Sequence, residues 1–515
     1  MESERKGSLT VKGIYHLFLG NTLYTLLLAL TTIAVARILG PSEYGLYTVA
    51  LIFPPLLFTA IRLGLDAAAT RFAARLRSDG KEEEAVSFVY AMTIFGVAIA
   101  TASALVFVWL SGWIATSVVD RPQLGAVIIP IGMLSVLGQA AFYITNLGMT
   151  GLGKFDKAGL TQALQGVTKL VTSVGLVVLG YGVTGAVAGY TISFVVTGGL
   201  GVVYIAWLAK GRFPKEMKTD AGVGLRYGFP IYLSTLIGRV VAPVISIALA
   251  LKVANSQIGG YSVANTFTSL IALATYPIAT ALFPLFSRRV DDYKVLGETY
   301  ANAVRHTALL VIPVTAFTMA FSGPLVATFY GNAYAFGASY VTLVAAMNLL
   351  AGVGSLAWDA LLNGIGRTRD VLVTTALGSG VSVVGGVGLM VVAGVAGAII
   401  GQTIGAVVSV AFGTWIVHRR LKAELSLARV WKFYVAAGLA AGLSWLISFP
   451  IHIPELVVIV GGLVFIILYI PLLALLKALN VRDIDMLRDY LKFSAVVSTL
   501  FEAAVWYYNR ALLIL

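Results

Sequence analysis

The sequence predicts an all-α polytopic membrane protein with about fourteen transmembrane helices. Two parallel six-helix lobes, related by a pseudo-twofold axis along the membrane normal with a central cavity between them, precede two C-terminal helices. Composition, an internal repeat and the placement of basic residues predict this. Of 515 residues, 59% are hydrophobic and 11% charged, where soluble domains carry roughly a quarter charged; mean hydropathy is +0.91. Gly182-Val-Thr-Gly-Ala-Val-Ala-Gly-Tyr-Thr-Ile192 returns 212 positions later as Gly394-Val-Ala-Gly-Ala-Ile-Ile-Gly-Gln-Thr-Ile404, with seven of eleven positions identical. Lys and Arg concentrate in alternate loops.

Apolar runs long enough to cross about 30 Å of hydrocarbon as helices cover 14–36, 45–65, 85–111, 124–147, 160–180, 183–208, 227–251, 259–286, 305–323, 338–362, 371–392, 394–417, 431–448 and 453–476. They lack strand alternation and are about twice too long for tilted strands, which excludes a barrel. The repeat extends beyond its best segment. Gly151-Leu-Gly-Lys154 answers to Gly364-Ile-Gly-Arg367 at an offset of 213, followed by Thr161, Ala163 and Leu164 at Thr374, Ala376 and Leu377. Gly45-Leu-Tyr-Thr-Val-Ala50 answers to Gly259-Gly-Tyr-Ser-Val-Ala264 at 214. An offset that drifts by single residues marks a duplicated half, and in a membrane protein a duplicated half points to a transporter with its site at the repeat interface.

With the N-terminus in the cytoplasm, 29 Lys and Arg residues fall in cytoplasmic segments and three, Arg37, Arg121 and Lys252, outside. This strong positive-inside bias also checks the span count, because one missed helix would scramble the sides downstream. Each copy holds an even number of spans, so the copies run parallel. The N-terminal lobe is residues 1–210 and the C-terminal lobe 211–422; residues 423–515 hold the two additional spans. The last stretch, Ser494–Leu515, carries Glu502, Asn509 and Arg510 and follows the amphipathic Val481–Lys492. It reads as an interfacial or lobe-packed helix, with a fifteenth span as the alternative.

The net charge of +13 serves orientation and contact with anionic membrane lipids. Nucleic-acid binding would need a basic soluble domain, and no loop exceeds about twenty residues. The first apolar run is full length and lacks a small-residue cleavage site, so no signal peptide is expected. The chain has no cysteine, which excludes disulfides and thiolate chemistry. Clustered glycines such as Gly378, Gly380, Gly385, Gly386 and Gly388 lie within spans, where they let helices approach closely. Gly151-Leu-Gly-Lys154 lacks the spacing of a phosphate loop.

Ala36-Arg-Ile-Leu-Gly-Pro-Ser-Glu-Tyr-Gly-Leu-Tyr47 resembles the first external hairpin of polysaccharide flippases of the Wzx type, within the multidrug/oligosaccharidyl-lipid/polysaccharide exporter superfamily. Gly64-Leu-Asp-Ala-Ala-Ala-Thr-Arg-Phe-Ala73 is similar to that family's motif closing span two, and Gly228-Phe-Pro-Ile-Tyr-Leu to the opening of its span seven. The resemblance implies export of a polyprenyl-diphosphate-linked oligosaccharide from the cytoplasmic to the outer leaflet of the plasma membrane by alternating access. Two readings from the same superfamily compete: a flippase for a peptidoglycan-type lipid-linked precursor, and a cation-coupled multidrug antiporter. Drug exporters ordinarily have twelve spans and acidic cavities, which this chain does not match. A polyprenyl-sugar enzyme would need a large external loop or a metal-binding Asp motif. The only aspartate pairs, Asp291-Asp292 and Asp483-Ile-Asp485, read as solvated, so a non-enzyme is expected.

Ionisable residues inside spans are functional candidates. Arg239, about twelve residues and roughly 18 Å into span seven, and Lys169, about nine residues and roughly 13 Å into span five, are too deep to snorkel easily. Their repeat equivalents are Thr25 and Ser382, so the shared fold does not demand either charge. They are the leading candidates for holding a diphosphate; the alternatives are interhelical hydrogen bonds or a buried ion pair. Arg62 precedes Asp66 by one turn, so a local salt bridge competes with a substrate contact. Asn21 and Asn265, with Tyr24 and Tyr232, suit a sugar-accommodating lumen. Asp359, whose repeat partner is Asn146, and Asp66 are candidates for coupling to an ion. The expected partners are a lipid-linked oligosaccharide, anionic lipids and a coupling H+ or Na+, with no nucleic acid, metal or cofactor, and a monomer is expected. No motif hydrolyses ATP, so the drive is membrane potential or an ion gradient. Outward movement of a two-charge diphosphate is favoured by about 4–5 kcal/mol per 100 mV.

Overall fold

The computed structural model describes residues 2–62, 64–212, 220–273, 293–421, 427–479, 499, 502–503 and 505–510. Among these, every regular element is helical. The principal helices are α1 (Glu2–Ala50), α2 (Phe53–Ile61), α3 (Leu65–Ser78), α4 (Glu82–Trp109), α5 (Ile128–Gly151), α6 (Phe155–Leu176), α7 (Gly182–Ala209), α8 (Asp220–Lys252), α9 (Asn255–Leu273), α10 (Tyr293–Ala320), α11 (Ser322–Tyr330), α12 (Ala338–Ala346), α13 (Trp358–Gly364), α14 (Thr368–Leu421), α15 (Leu427–Ser448) and α16 (Pro454–Leu475). Ten helical stretches among the described residues are long and apolar enough to cross a membrane. Three of them, His16–Ile61, Phe155–Ala209 and Thr368–Arg420, hold 46, 55 and 53 residues, about twice the length of one crossing. Each is interrupted where the sequence predicts that two spans meet: at Gly40, at Gly180 and Gly182, and at Ala393 and Gly394.

The repeat is visible in backbone angles. Gly182 adopts φ 52, ψ −137 and Gly394 adopts φ 55, ψ −136. Residues with a Cβ rarely reach that region, so both copies need glycine there. Beyond each turn the chain folds back on itself. A Cβ on Gly189 would lie 2.3 Å from Ser173 Cα, and one on Gly401 would lie 2.2 Å from the Gly385 carbonyl carbon. Small residues thus bring the two arms of each hairpin backbone to backbone. The preceding turn repeats as well. Gly153 (φ 70) and Gly366 (φ 78) share left-handed geometry. The bond from Lys154 N–H to Met149 O (2.8 Å) recurs from Arg367 N–H to Leu362 O (2.7 Å).

The chain divides into two compact units, Met1–Gly259 and Gly260–Leu515. In the first, α1 and α6 run in the same direction: Gly20 meets the Gly159 backbone, and two turns later Gly166 meets Leu27 and the Tyr24 backbone. Packing among α3, α4, α5 and α7 buries Ala73, Val89, Met149 and Ile205. The segment from Asp66 to Glu84, expected as a cytoplasmic connection, is helical through Ser78, because Gly64 in left-handed conformation (φ 79) starts a new helix at Leu65.

In the second unit, α15 and α16 pack on α10. Ala308 and Ile312 meet Phe433, Ala436 and Ala440 from α15 and Phe465 and Tyr469 from α16. The two helices outside the repeat therefore cover one helix of the second copy. Val505 and Tyr508 of the terminal segment join this core. Predicted span ten is not one helix. It breaks into α12, a 3-10 stretch Met347–Val353 and α13. Gly354 (φ 93) ends the 3-10 stretch, and Tyr434 of α15 hydrogen-bonds the Leu349 carbonyl, supplying a partner that continuous helix would not need. Asp291, Asp292, Asp483, Asp485 and the amphipathic segment from Val481 to Lys492 lie outside the described residues.

Candidate functional site

Three cations of the first unit lie around a set of linked tyrosines. Lys169 lies on α6 thirteen residues before the Gly182 turn, about 20 Å along the helix axis. Its Nζ sits 5.1 Å from the centroid of the Tyr190 ring on α7, a cation–π distance. The Gly182 turn and the Gly189–Ser173 approach fix the register that brings them together. Tyr190 is within electrostatic reach of Tyr143 on α5 and Tyr47 on α1. Tyr143 shares a hydrogen bond with Tyr24 and stacks on Phe58 of α2 at 5.1 Å. Arg239, Arg62 and Asp66 all act electrostatically on Tyr143.

Arg239 reaches this cluster from α8. Tyr232 and Arg239 are seven residues apart, nearly two helical turns, and share a face. Tyr232 Oη donates to the Ala60 carbonyl at 2.5 Å and lies 3.3 Å from the Thr59 carbonyl, which turns that face toward α2. Arg239 is exposed, and Lys169 half-buried. Among the described residues neither is ion-paired. Arg62 and Asp66 form the local pair that their spacing predicts, with Nη2–Oδ2 at 3.0 Å. Asp66 is 1% exposed, and its Oδ1 also accepts the Ala67 N–H at 2.9 Å. The helix break at Gly64 makes this possible, because it places Arg62 at the end of α2 and Asp66 in the first turn of α3.

The remaining candidates divide between the units. Asn21 lies three residues before Tyr24 on α1, and its carbonyl accepts the Thr25 hydroxyl at 2.9 Å. Asn265 belongs to the second unit, where it is exposed and its Nδ2 donates to the Tyr261 carbonyl at 3.0 Å. Asp359 is exposed at the start of α13, where its Oδ1 accepts the Ala360 N–H at 2.7 Å. Its repeat partner Asn146 is buried in α5; Nδ2 donates to the Ala158 carbonyl at 2.7 Å and Oδ1 accepts from Gln162 at 3.1 Å. The break in span ten accounts for this contrast. Among the described residues no group of three or more His, Asp or Glu side chains is placed to hold a metal ion.

Sequence reasoning named the cations but not Tyr143 or Tyr190, which link them. Tyrosines in spans are ordinarily packing residues, and only the alignment of Lys169 with Tyr190 across a hairpin register separates these from the rest. The second copy uses the same positions differently: Ser382, the equivalent of Lys169, donates from Oγ to the carbonyl of Gln402, the equivalent of Tyr190, at 3.4 Å.

Comparisons with known proteins agree with this architecture. A family model described as "Polysaccharide biosynthesis protein" matches residues 34–338. Among solved structures, the lipid II flippase MurJ in an inward closed conformation superposes with a TM-score of 0.72 at 15% identity, covering 90% of this chain and 99% of its own. An inward-facing multidrug resistance MATE family transporter of the MOP superfamily gives 0.67 at 20% identity, covering 80% and 98%. An outward-facing one gives 0.59 at 19%, covering 80% and 96%. No curated protein matches. The structural likenesses establish the fold, and the family match spans more than half of the sequence: the chain belongs to the polysaccharide biosynthesis protein family and has the two-lobed fold of MurJ and the MATE transporters.

Proposed function

We propose that the protein is a flippase that carries a polyprenyl-diphosphate-linked oligosaccharide from the cytoplasmic to the outer leaflet of the plasma membrane by alternating access, with its N-terminus in the cytoplasm. The observation that carries this reading is the set Lys169, Arg239 and Arg62 around Tyr24, Tyr143 and Tyr190. Charges inside membrane spans are costly and are kept where they serve a pathway. Two of the three cations lack a carboxylate among the described residues, which leaves their charge for an anion. Arginine offers a diphosphate a fork of donors and lysine a point charge. The Tyr190 ring face lies against Lys169, which adds no competing negative charge. A few cations also permit release, because binding must be weak enough for the cargo to leave.

Family membership supports a saccharide cargo, and the cationic cluster disfavours export of cationic drugs. A peptidoglycan-type precursor is the second reading. It is favoured by the likeness to a lipid II flippase over 90% of this chain, against 80% for the MATE transporter. Drive by membrane potential suits a cargo with two negative charges, and Asp359 is the candidate for coupling H+ or Na+.

The test is transport of a fluorescent polyprenyl-diphosphate disaccharide in proteoliposomes. One lost charge-assisted hydrogen bond costs about 1.5–3 kcal/mol, so Lys169→Gln and Arg239→Gln should each slow flipping about 10- to 100-fold while the protein still inserts and purifies. Wild-type rates in both variants would overturn the proposal.

A further inference from the structure

The tyrosine–cation cluster has a neutral counterpart in the second unit. By the repeat offsets, Tyr47 corresponds to Tyr261, Tyr190 to Gln402 and Lys169 to Ser382. Tyr261 Oη donates to Gln402 Oε1 at 3.2 Å, and Gln402 Nε2 lies 3.1 Å from the same hydroxyl and 3.2 Å from the Ala398 carbonyl. Ser382 Oγ reaches the Gln402 carbonyl. Asn265, one turn beyond Tyr261 on α9, brings a second carboxamide to the exposed edge of the cluster. Gln402 is the one carboxamide in the 54 residues of α14. The nearest charged residue N-terminal to Ser382 on that helix is Asp370, twelve residues and about 18 Å away.

A neutral set of this kind does not balance a phosphate. Sugar hydroxyls and N-acetyl groups, however, are donors and acceptors at once, as are tyrosine hydroxyls and carboxamides. The duplicated scaffold thus presents an anion-binding chemistry in one copy and a hydrogen-bonding chemistry at the same positions in the other. We propose that Tyr261, Gln402 and Asn265 form the subsite that reads the saccharide of the cargo. This rests on the reading of the protein as a lipid-linked saccharide flippase. Glycan selectivity then resides in the second copy and lipid-diphosphate affinity in the first.

The experiment measures binding of two probes to the purified full-length protein in nanodiscs: undecaprenyl diphosphate, and undecaprenyl diphosphate bearing a disaccharide of N-acetylglucosamine. A site that hydrogen-bonds the sugar through two or three neutral groups should prefer the sugar-bearing probe about tenfold. Gln402→Leu and Tyr261→Phe should bring that preference to within about twofold while leaving bare undecaprenyl diphosphate unchanged. Tyr261→Phe removes a single oxygen, so it reads the subsite even if Gln402→Leu fails to fold. Equal wild-type affinity for the two probes, or a tenfold preference retained in both variants, overturns the subsite. Lys169→Gln separates the two levels. Weaker binding of both probes supports the flippase reading, whereas unchanged binding of both in Lys169→Gln and in Arg239→Gln alike overturns that reading whatever the sugar preference.

Discussion

The two helical hairpins, Phe155–Ala209 and Thr368–Leu421, share a backbone and differ in chemistry. Their turns, at Gly182 and Gly394, agree within 3° in φ and 1° in ψ, and each brings its arms into contact at a glycine seven positions beyond the turn, Gly189 and Gly401. Along the same arms the first copy sets Lys169 against Tyr190 and the second sets Ser382 against Gln402. Residues whose backbone geometry admits only glycine persisted, while polar residues facing the same neighbours diverged. The comparison assigns fold to the shared positions and recognition to the divergent ones, and each assignment can be broken separately.

The largest effect is expected at a pair present only in the first copy. Arg62 and Asp66 correspond to Tyr276 and Thr280 at the offset of 214. Removing one partner of a buried ion pair costs about 3–5 kcal/mol. Arg62→Gln should therefore lower stability sharply, because Asp66, at 1% exposure, would keep its charge without Arg62. Arg62→Gln combined with Asp66→Asn should restore most of that loss. Thermal unfolding of the purified variants reads the stability, and flipping of the double variant reads the function. A stable double variant with normal flipping makes the pair structural; one that no longer flips adds Arg62 to the diphosphate site. A single variant as stable as the wild type would show that Asp66 does not depend on Arg62.

A smaller and symmetric effect is expected at the turns. Gly182→Ala and Gly394→Ala each force a side chain into a strained backbone region, at about 1–3 kcal/mol. Because the two conformations coincide, the losses should agree within experimental error. Unfolding measurements in which only one variant is destabilised would break the equivalence of the hairpins.

The same physics explains what was legible in sequence. Gly182 and Gly394 stand out because no other residue suits their backbone angles, so duplication preserved them through otherwise drifting sequence. Gly153 and Gly366 are legible for the same reason. The break in span ten was not, because Gly354 is one glycine among many in apolar sequence and its companion Tyr434 comes from a helix outside the repeat. Charges at depth were legible as candidates, since membrane burial makes Lys169 and Arg239 conspicuous. Their surroundings were not: Tyr143 and Tyr190 look like ordinary belt residues until the helices are packed. Gln402 was visible only as a mismatch to Tyr190 inside the best-preserved segment, where a polar substitution reads as drift unless its partner Tyr261 is known.

The smallest effect tests whether Tyr190 matters as a ring or as a hydroxyl. Lys169 Nζ lies over the ring face at 5.1 Å, and cation–π contacts contribute about 0.5–2 kcal/mol. Tyr190→Phe keeps the face and should bind bare polyprenyl diphosphate nearly as well as wild type. Tyr190→Leu removes it, frees the ammonium to leave the arm of the hairpin, and should weaken binding about two- to thirtyfold. The double variant Tyr190→Leu with Lys169→Gln should bind no worse than Lys169→Gln alone, because the ring would act only through the lysine. Equal losses in Tyr190→Phe and Tyr190→Leu would assign the role to the hydroxyl. The first copy would then resemble the second, where Tyr261 and Gln402 meet through hydrogen bonds, and the contrast between the hairpins would narrow to the single charge at Lys169.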